Sequence, residues 1–243
     1  MVVVVRVVPW WGVVSSAAAP VLLVGGWTVA ARLQPRSFNA VASTISALAA
    51  DGAADRWVMT LVLLAVGVCD IATGLALRPA AAPGRLILIA GGIAGVLVAA
   101  NPEPARGGSL AHAFWATIGF IALTAWPLGG LRRGSSAPGG LRPTVSAVAA
   151  GALLGLLVWF AAELMTRGGQ VGLAERVLTE AQTVWPLAVV LTCWRSMPPA
   201  RLPPWARRGD LLHHVPRPGG IAEEAPGRRD VRPPDWSARS GPS

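Results

Sequence analysis

Lysine and tyrosine are missing from this chain, and charged residues make up only 14% of its 243 positions. A soluble domain usually carries about 25% charged residues. With 53% hydrophobic residues and a mean hydropathy of +0.53, a soluble chain would have too little polar surface to cover its core. The bilayer is therefore the expected solvent. The formal charge of +9 rests on 21 basic residues, every one of them an arginine. They are scattered between apolar runs, which points to topology and contact with anionic membrane lipids. Scattering also argues against a nucleic-acid partner, which would need a basic patch interleaved with aromatics. Arginine without lysine, beside abundant alanine, glycine and proline, suggests a GC-rich bacterial genome.

Cysteine and histidine are scarce as well. Cys69 and Cys193 lie inside apolar runs and form no CxxC pair or zinc spacing, so both read as small buried apolar residues. Bis-imidazole haem needs two histidines at membrane depth, and only His112 qualifies. His213 and His214 fall in a polar tail. No HExxH or nucleophile elbow is present, and no internal repeat. Neither a metal nor a cofactor is expected.

What is abundant is long apolar runs. A spanning helix needs roughly 20 mainly apolar residues, and six runs qualify: Trp11–Ala31, Trp57–Leu77, Leu86–Ala100, Leu110–Gly130, Thr144–Met165 and Leu173–Trp194. The third is short, about 22 Å at helical rise, and needs part of Pro83–Arg85 or a thinner bilayer. Tryptophans such as Trp10, Trp57, Trp126 and Trp194 fall mostly near the ends, as an aromatic belt would place them. The first run is longer than the core of a signal peptide and follows a single Arg6, so it reads as an anchored helix, not a cleaved leader. Its opening "MVVVVRVV" is odd enough to suggest that translation starts elsewhere. The expected fold is all-α: a polytopic bundle of six transmembrane helices over 1–195. Residues 196–243, rich in proline, arginine and glycine, read as a disordered cytoplasmic tail.

Arginine counts set the expected orientation. With both ends inside, the inner segments hold Arg6, Arg78, Arg85, Arg132, Arg133, Arg142, Arg195, Arg201, Arg207 and Arg208. The outer segments hold Arg32, Arg36, Arg56, Arg106, Arg167 and Arg176. The bias favours cytoplasmic termini in the cell membrane.

In the first outer loop, "SFNAVASTISALAADG" repeats apolar residues at helical spacing. Ser37 stands as an N-cap and Gly52 as a stop, which predicts a short amphipathic helix near 37–51. Ionisable residues at membrane depth are costly and default to functional candidates. His112, Glu163, Glu175, Arg176 and Glu180 all fall near the outer end of their helices and are expected to share one layer. Asp70 lies some thirteen residues into the second helix, about 20 Å deep, out of reach of His112. Each also has a local explanation: Glu163 with Arg167 and Arg176 with Glu180 at helical spacing, and Asp70 with Thr73. Gly91 with Gly95, and Gly151 with Gly155, are expected to mark close helix contacts.

Four stretches then carry a resemblance: "STISALAADGAADRWVM", "GGIAGVLVAANPEP", "HAFWATIGFIAL" and "GLAERVL". Together they resemble the bacterial and archaeal membrane family known as domain of unknown function 998, over about Trp11 to Trp194. The resemblance implies a six-helix membrane protein and brings no reaction, cofactor or substrate. Ser46, His112, Glu175 and Arg176 match its polar landmarks. At "NPEP" the chain departs from the aromatic–proline–acid pattern expected there, with Glu103 as the acid. The function expected first is a non-enzymatic, permease-like or accessory bundle. The alternative is a membrane-embedded enzyme acting on a lipid or lipid-linked substrate at the outer face, with His112 as acid or base beside nearby carboxylates. Either reading admits a small-molecule or lipid ligand at that face.

Overall fold

The computed structural model describes residues 8–195. Arg6, His213, His214 and the expected tail lie outside them. Six helices cover most of that length: α1 Trp10–Leu33, α2 Trp57–Ala76, α3 Ala82–Ala100, α4 Leu110–Gly130, α5 Pro143–Thr166 and α6 Val171–Arg195. All six are long and apolar enough to cross a membrane, and no strand occurs among the described residues. The chain is a multi-pass membrane protein. Its short third span is lengthened as expected, because α3 starts at Ala82 with Pro83 in its first turn, where a missing N–H costs nothing. Arg85, counted above as a topology charge, also donates from Nε to the Gly74 carbonyl at 3.0 Å and from Nη2 to Leu75 at 3.1 Å. It thereby satisfies carbonyls that the end of α2 leaves open.

Each helix packs on its neighbours in sequence, and α6 returns against α1, so the six close into a ring. Between α2 and α3 the backbones touch. A Cβ added at Gly92 would lie 2.6 Å from the Gly67 carbonyl oxygen, and α3 approaches α4 as closely, since a Cβ at Gly84 would collide with the Gly130 backbone. Gly91 and Gly95 do sit in helix contacts, against Leu123 and Gly67. Gly151 and Gly155 do not: a Cβ on either would meet nothing within 4 Å. That expectation is corrected, since α5 turns those glycines outward and packs through other residues, among them Phe160 against Phe120.

Two apolar clusters close the ends of the ring. One gathers Ile45, Leu48 and Ala49 of the first loop with Leu23, Ala30, Met59 and Val66. The other, at the opposite end, packs Trp126 with Leu77, Leu88, Leu141, Val189 and Val190.

The predicted amphipathic helix near 37–51 is not formed. The segment is a series of turns with one short 3-10 turn, Ser46–Leu48, though Gly52 does stop it with φ +95°. The reason lies in where its backbone bonds go. Helix formation would need the carbonyls of residues 40, 41 and 43 for amides four positions on. Here α6 takes them instead: Leu173 N–H donates to Val41 at 3.0 Å, and Arg176 binds Ala40 and Ser43. An α-helix start has unpaired N–H groups to offer, so the loop becomes a lid fastened to the first turns of α6.

Candidate functional site

The lid is held by side chains that the sequence marks as polar landmarks. Arg176 Nη1 donates to the carbonyls of Ala40 at 2.6 Å, Ser43 at 2.8 Å and Gly172 at 2.8 Å. Its guanidinium lies 6.0 Å from the centre of the Trp27 ring. Glu175, buried one residue earlier, accepts the Ile45 N–H through Oε2. Gly172 has to be glycine, because a Cβ there would run into the carbonyl oxygens of Ser43 and Ala40. Further round, Asp51 N–H donates to the Glu103 carbonyl at 2.8 Å, and Arg56 pairs with Asp51 at 3.0 Å.

His112 fastens the other side of the lid. Ser109 caps α4 by accepting the His112 N–H at 3.2 Å, which fixes the imidazole one turn into the helix. Its Nδ1 lies 2.9 Å from the Asn101 carbonyl oxygen. A carbonyl only accepts, so the hydrogen sits on Nδ1. In the neutral ring Nε2 is then an acceptor, and the Ser46 hydroxyl donates to it at 3.0 Å. Glu103 Oε1 lies 3.8 Å from the same nitrogen. Both ring nitrogens are thus engaged, tying α3, α4 and the lid together.

The five residues expected in one layer divide. His112, Glu175 and Arg176 all grip the lid. Glu163 instead accepts the Gln170 N–H at 2.9 Å and closes the α5–α6 turn. Glu180 Oε2 is buried without a partner. The local pairs expected for them are corrected: neither Glu163–Arg167 nor Arg176–Glu180 is among the ion pairs of the described residues, whereas Arg56–Asp51 is. Arg176 goes to backbone carbonyls in place of Glu180, because the lid supplies several acceptors that need a donor. Asp70 does not bond Thr73 either, whose hydroxyl is 2.9 Å from that of Ser15 on α1.

Beneath the lid lies a cavity of about 100 Å³. A single water needs roughly 10–15 Å³ on this measure, so the space holds several waters or one small solute. Its polar lining comes from Ser46, Asp70, Glu175, Thr179, Gln182 and Thr183. Ile45 of the lid and helices α1 to α4 supply the apolar remainder, including Gly91, Gly95 and Gly119. Asp70 is only 3% exposed, and among the described residues no hydrogen bond or ion pair reaches its carboxylate. Gln182 is 1% exposed and is not among the ionisable groups singled out above. A glutamine eleven residues into an apolar helix was the available signal. No group of three or more histidine, cysteine or acidic residues fit to hold a metal ion occurs among the described residues.

Residues 16–192 match the family described as "Protein of unknown function (DUF998)". The chain belongs to that family. No curated protein and no solved structure matches it. The DUF998 match reaches from within α1 to near the end of α6, so the lid, the residues that hold it and the cavity all lie within the matched region.

Proposed function

We propose that this DUF998 protein is a non-enzymatic, permease-like bundle whose cavity receives a small polar solute from the lid face. The observation that carries the reading is the chamber under the lid. It brings a carboxylate and an amide to membrane depth, where uncompensated polar groups are costly and mark solute or ion pathways. Its position supports entry from one side: Ile45 and Ser46 border it at the lid, while the Trp126 cluster fills the opposite end. Following the arginine bias, the lid face is extracytoplasmic in the cell membrane, with both termini cytoplasmic.

Stopped-flow swelling of liposomes carrying the full chain tests this, with urea, acetamide and ammonium chloride as probes. At least one should enter faster than into empty liposomes, and Gly119→Val, which adds bulk to the chamber wall between α4 and α3, should remove the excess. Entry no faster than through bare lipid for all three would overturn the reading.

One observation favours the second reading, an enzyme acting on lipid. The Ser46 hydroxyl donates to His112 Nε2, the pairing of a nucleophile with its base. The base here is oriented by a backbone carbonyl, and Glu163, Glu175 and Glu180 make no bond to it. Covalent labelling of Ser46 by a fluorophosphonate, lost in His112→Ala, would move the balance to that side.

A further inference from the structure

The chamber's polar lining differs from an ordinary mixed site in one respect: its side-chain hydrogens are already committed. Thr179 donates to the Glu175 carbonyl at 2.8 Å, and Thr183 to the Glu180 carbonyl at 3.0 Å. Ser46 donates to His112. Gln182 directs both known bonds of its NH₂ away, to the Phe120 carbonyl at 3.0 Å and the Thr124 hydroxyl at 3.1 Å. Its orientation is fixed by the first of these, because a flipped amide would set oxygen against oxygen. Gln182 Oε1 is therefore an acceptor, and it is buried without a partner. Asp70 and Glu175 add carboxylates, and no basic side chain lines the space.

Two prolines lie inside the helices that wall the chamber. Pro186 and Pro127 interrupt α6 and α4, withholding the N–H that an unbroken helix would give to the carbonyls four residues back. Those carbonyls belong to Gln182 and Leu123, both at the cavity wall.

A lining that offers only oxygen acceptors cannot satisfy an anion, and it leaves a neutral solute's own acceptors without donors. It complements a hard cation or a cationic donor, whose preferred ligands are carboxylates, carbonyls and hydroxyl oxygens. We infer that the chamber is a binding site for a small monovalent cation, ammonium or an alkali ion, anchored by Asp70 and Gln182 Oε1. The inference rests on the chamber reading above and names its solute class. Size agrees, since about 100 Å³ admits such an ion with several waters, whereas a quaternary amine, its charge shielded by methyl groups and without an N–H to donate, fits that lining poorly.

The test is thermal unfolding of the purified full chain at constant ionic strength, set by choline chloride as the bulky reference. Ammonium, potassium and sodium chloride are titrated against it, with acetamide as neutral probe and choline acetate as anionic probe. One of the small cations should raise Tm saturably. Asp70→Asn, which keeps size and shape, should abolish the rise, and so should Gln182→Leu or, where that variant fails to fold, Gln182→Met. A saturable rise with acetamide or acetate and none with cations overturns the cation site while leaving a solute chamber standing. No saturable rise with any probe also overturns it, and liposome swelling then decides separately whether the chamber reading survives. A cation effect unchanged in Asp70→Asn places the ion elsewhere and overturns the assignment.

Discussion

Removing the Arg176 guanidinium should open the lid without unfolding the bundle. Nη1 carries two hydrogens and divides them among three carbonyls, two on the lid and one on its own helix. The three contacts therefore amount to no more than about two full bonds, and a bond to a charged donor is worth roughly 1.5–3 kcal/mol. Arg176 is half-buried, so water takes over part of the loss. The lid share comes to about 2 kcal/mol, or roughly thirtyfold in a local opening equilibrium at about 1.4 kcal/mol per decade. Hydrogen–deuterium exchange resolves this by segment. In Arg176→Ala, amides over 40–49 should lose about thirtyfold protection, while those of α2 and α3 keep theirs. Arg176→Lys keeps one charged donor and should fall between the two. Loss of less than about threefold, or an equal loss in all helices, would refute the assignment of Arg176 to the lid.

Other expectations follow from the same contacts. Gly172→Ala should loosen the same lid amides, because its Cβ displaces the Ser43 and Ala40 carbonyls; unchanged exchange there would count against the close approach. His112→Ala removes the bonds to Ser46 and Asn101, about 2 kcal/mol at roughly 1 kcal/mol each, and Ser46→Ala about half of that. In the double variant the losses should not add, because the pair shares one bond, and additive unfolding energies would show that it does not matter. Gly92→Ala should cost at least about 2 kcal/mol by overpacking the α2–α3 crossing. Gly151→Ala, facing open space inside α5, should not destabilise, and helix propensity favours it by up to about 1 kcal/mol. Equal effects would contradict the packing described here.

The six helices were legible because a bilayer demands long apolar runs, and their lengths came within a few residues. The lid was read wrongly for a reason that local pattern cannot reveal. "SFNAVASTISALAADG" has helical periodicity, but its carbonyls are claimed by Leu173 and Arg176, more than a hundred positions away. Spacing along a helix likewise favoured Arg176 with Glu180, until the lid offered better acceptors. His112 was found through its oddity in an apolar run, yet its partners, Ser46 and the Asn101 carbonyl, come from other elements. Gln182 shows the opposite failure. Its signal lay in the sequence, and attention to charge alone hid it.

The central claim is that water-soluble matter reaches the space beside Asp70 from the lid face. Thiol labelling measures that directly, after Cys69→Ser and Cys193→Ser remove the native thiols. Cysteine reacts as the thiolate, which forms only where water has access. With a methanethiosulfonate reagent added from the lid side, Thr183→Cys on the cavity wall should label at least about tenfold faster than Val184→Cys, its outward-facing neighbour. Gly119→Val should slow the first and spare the second. Equal labelling at both positions, with full reaction only after denaturation, would mean that the chamber is sealed and dry, and the account of this protein as a solute-admitting bundle would be contradicted.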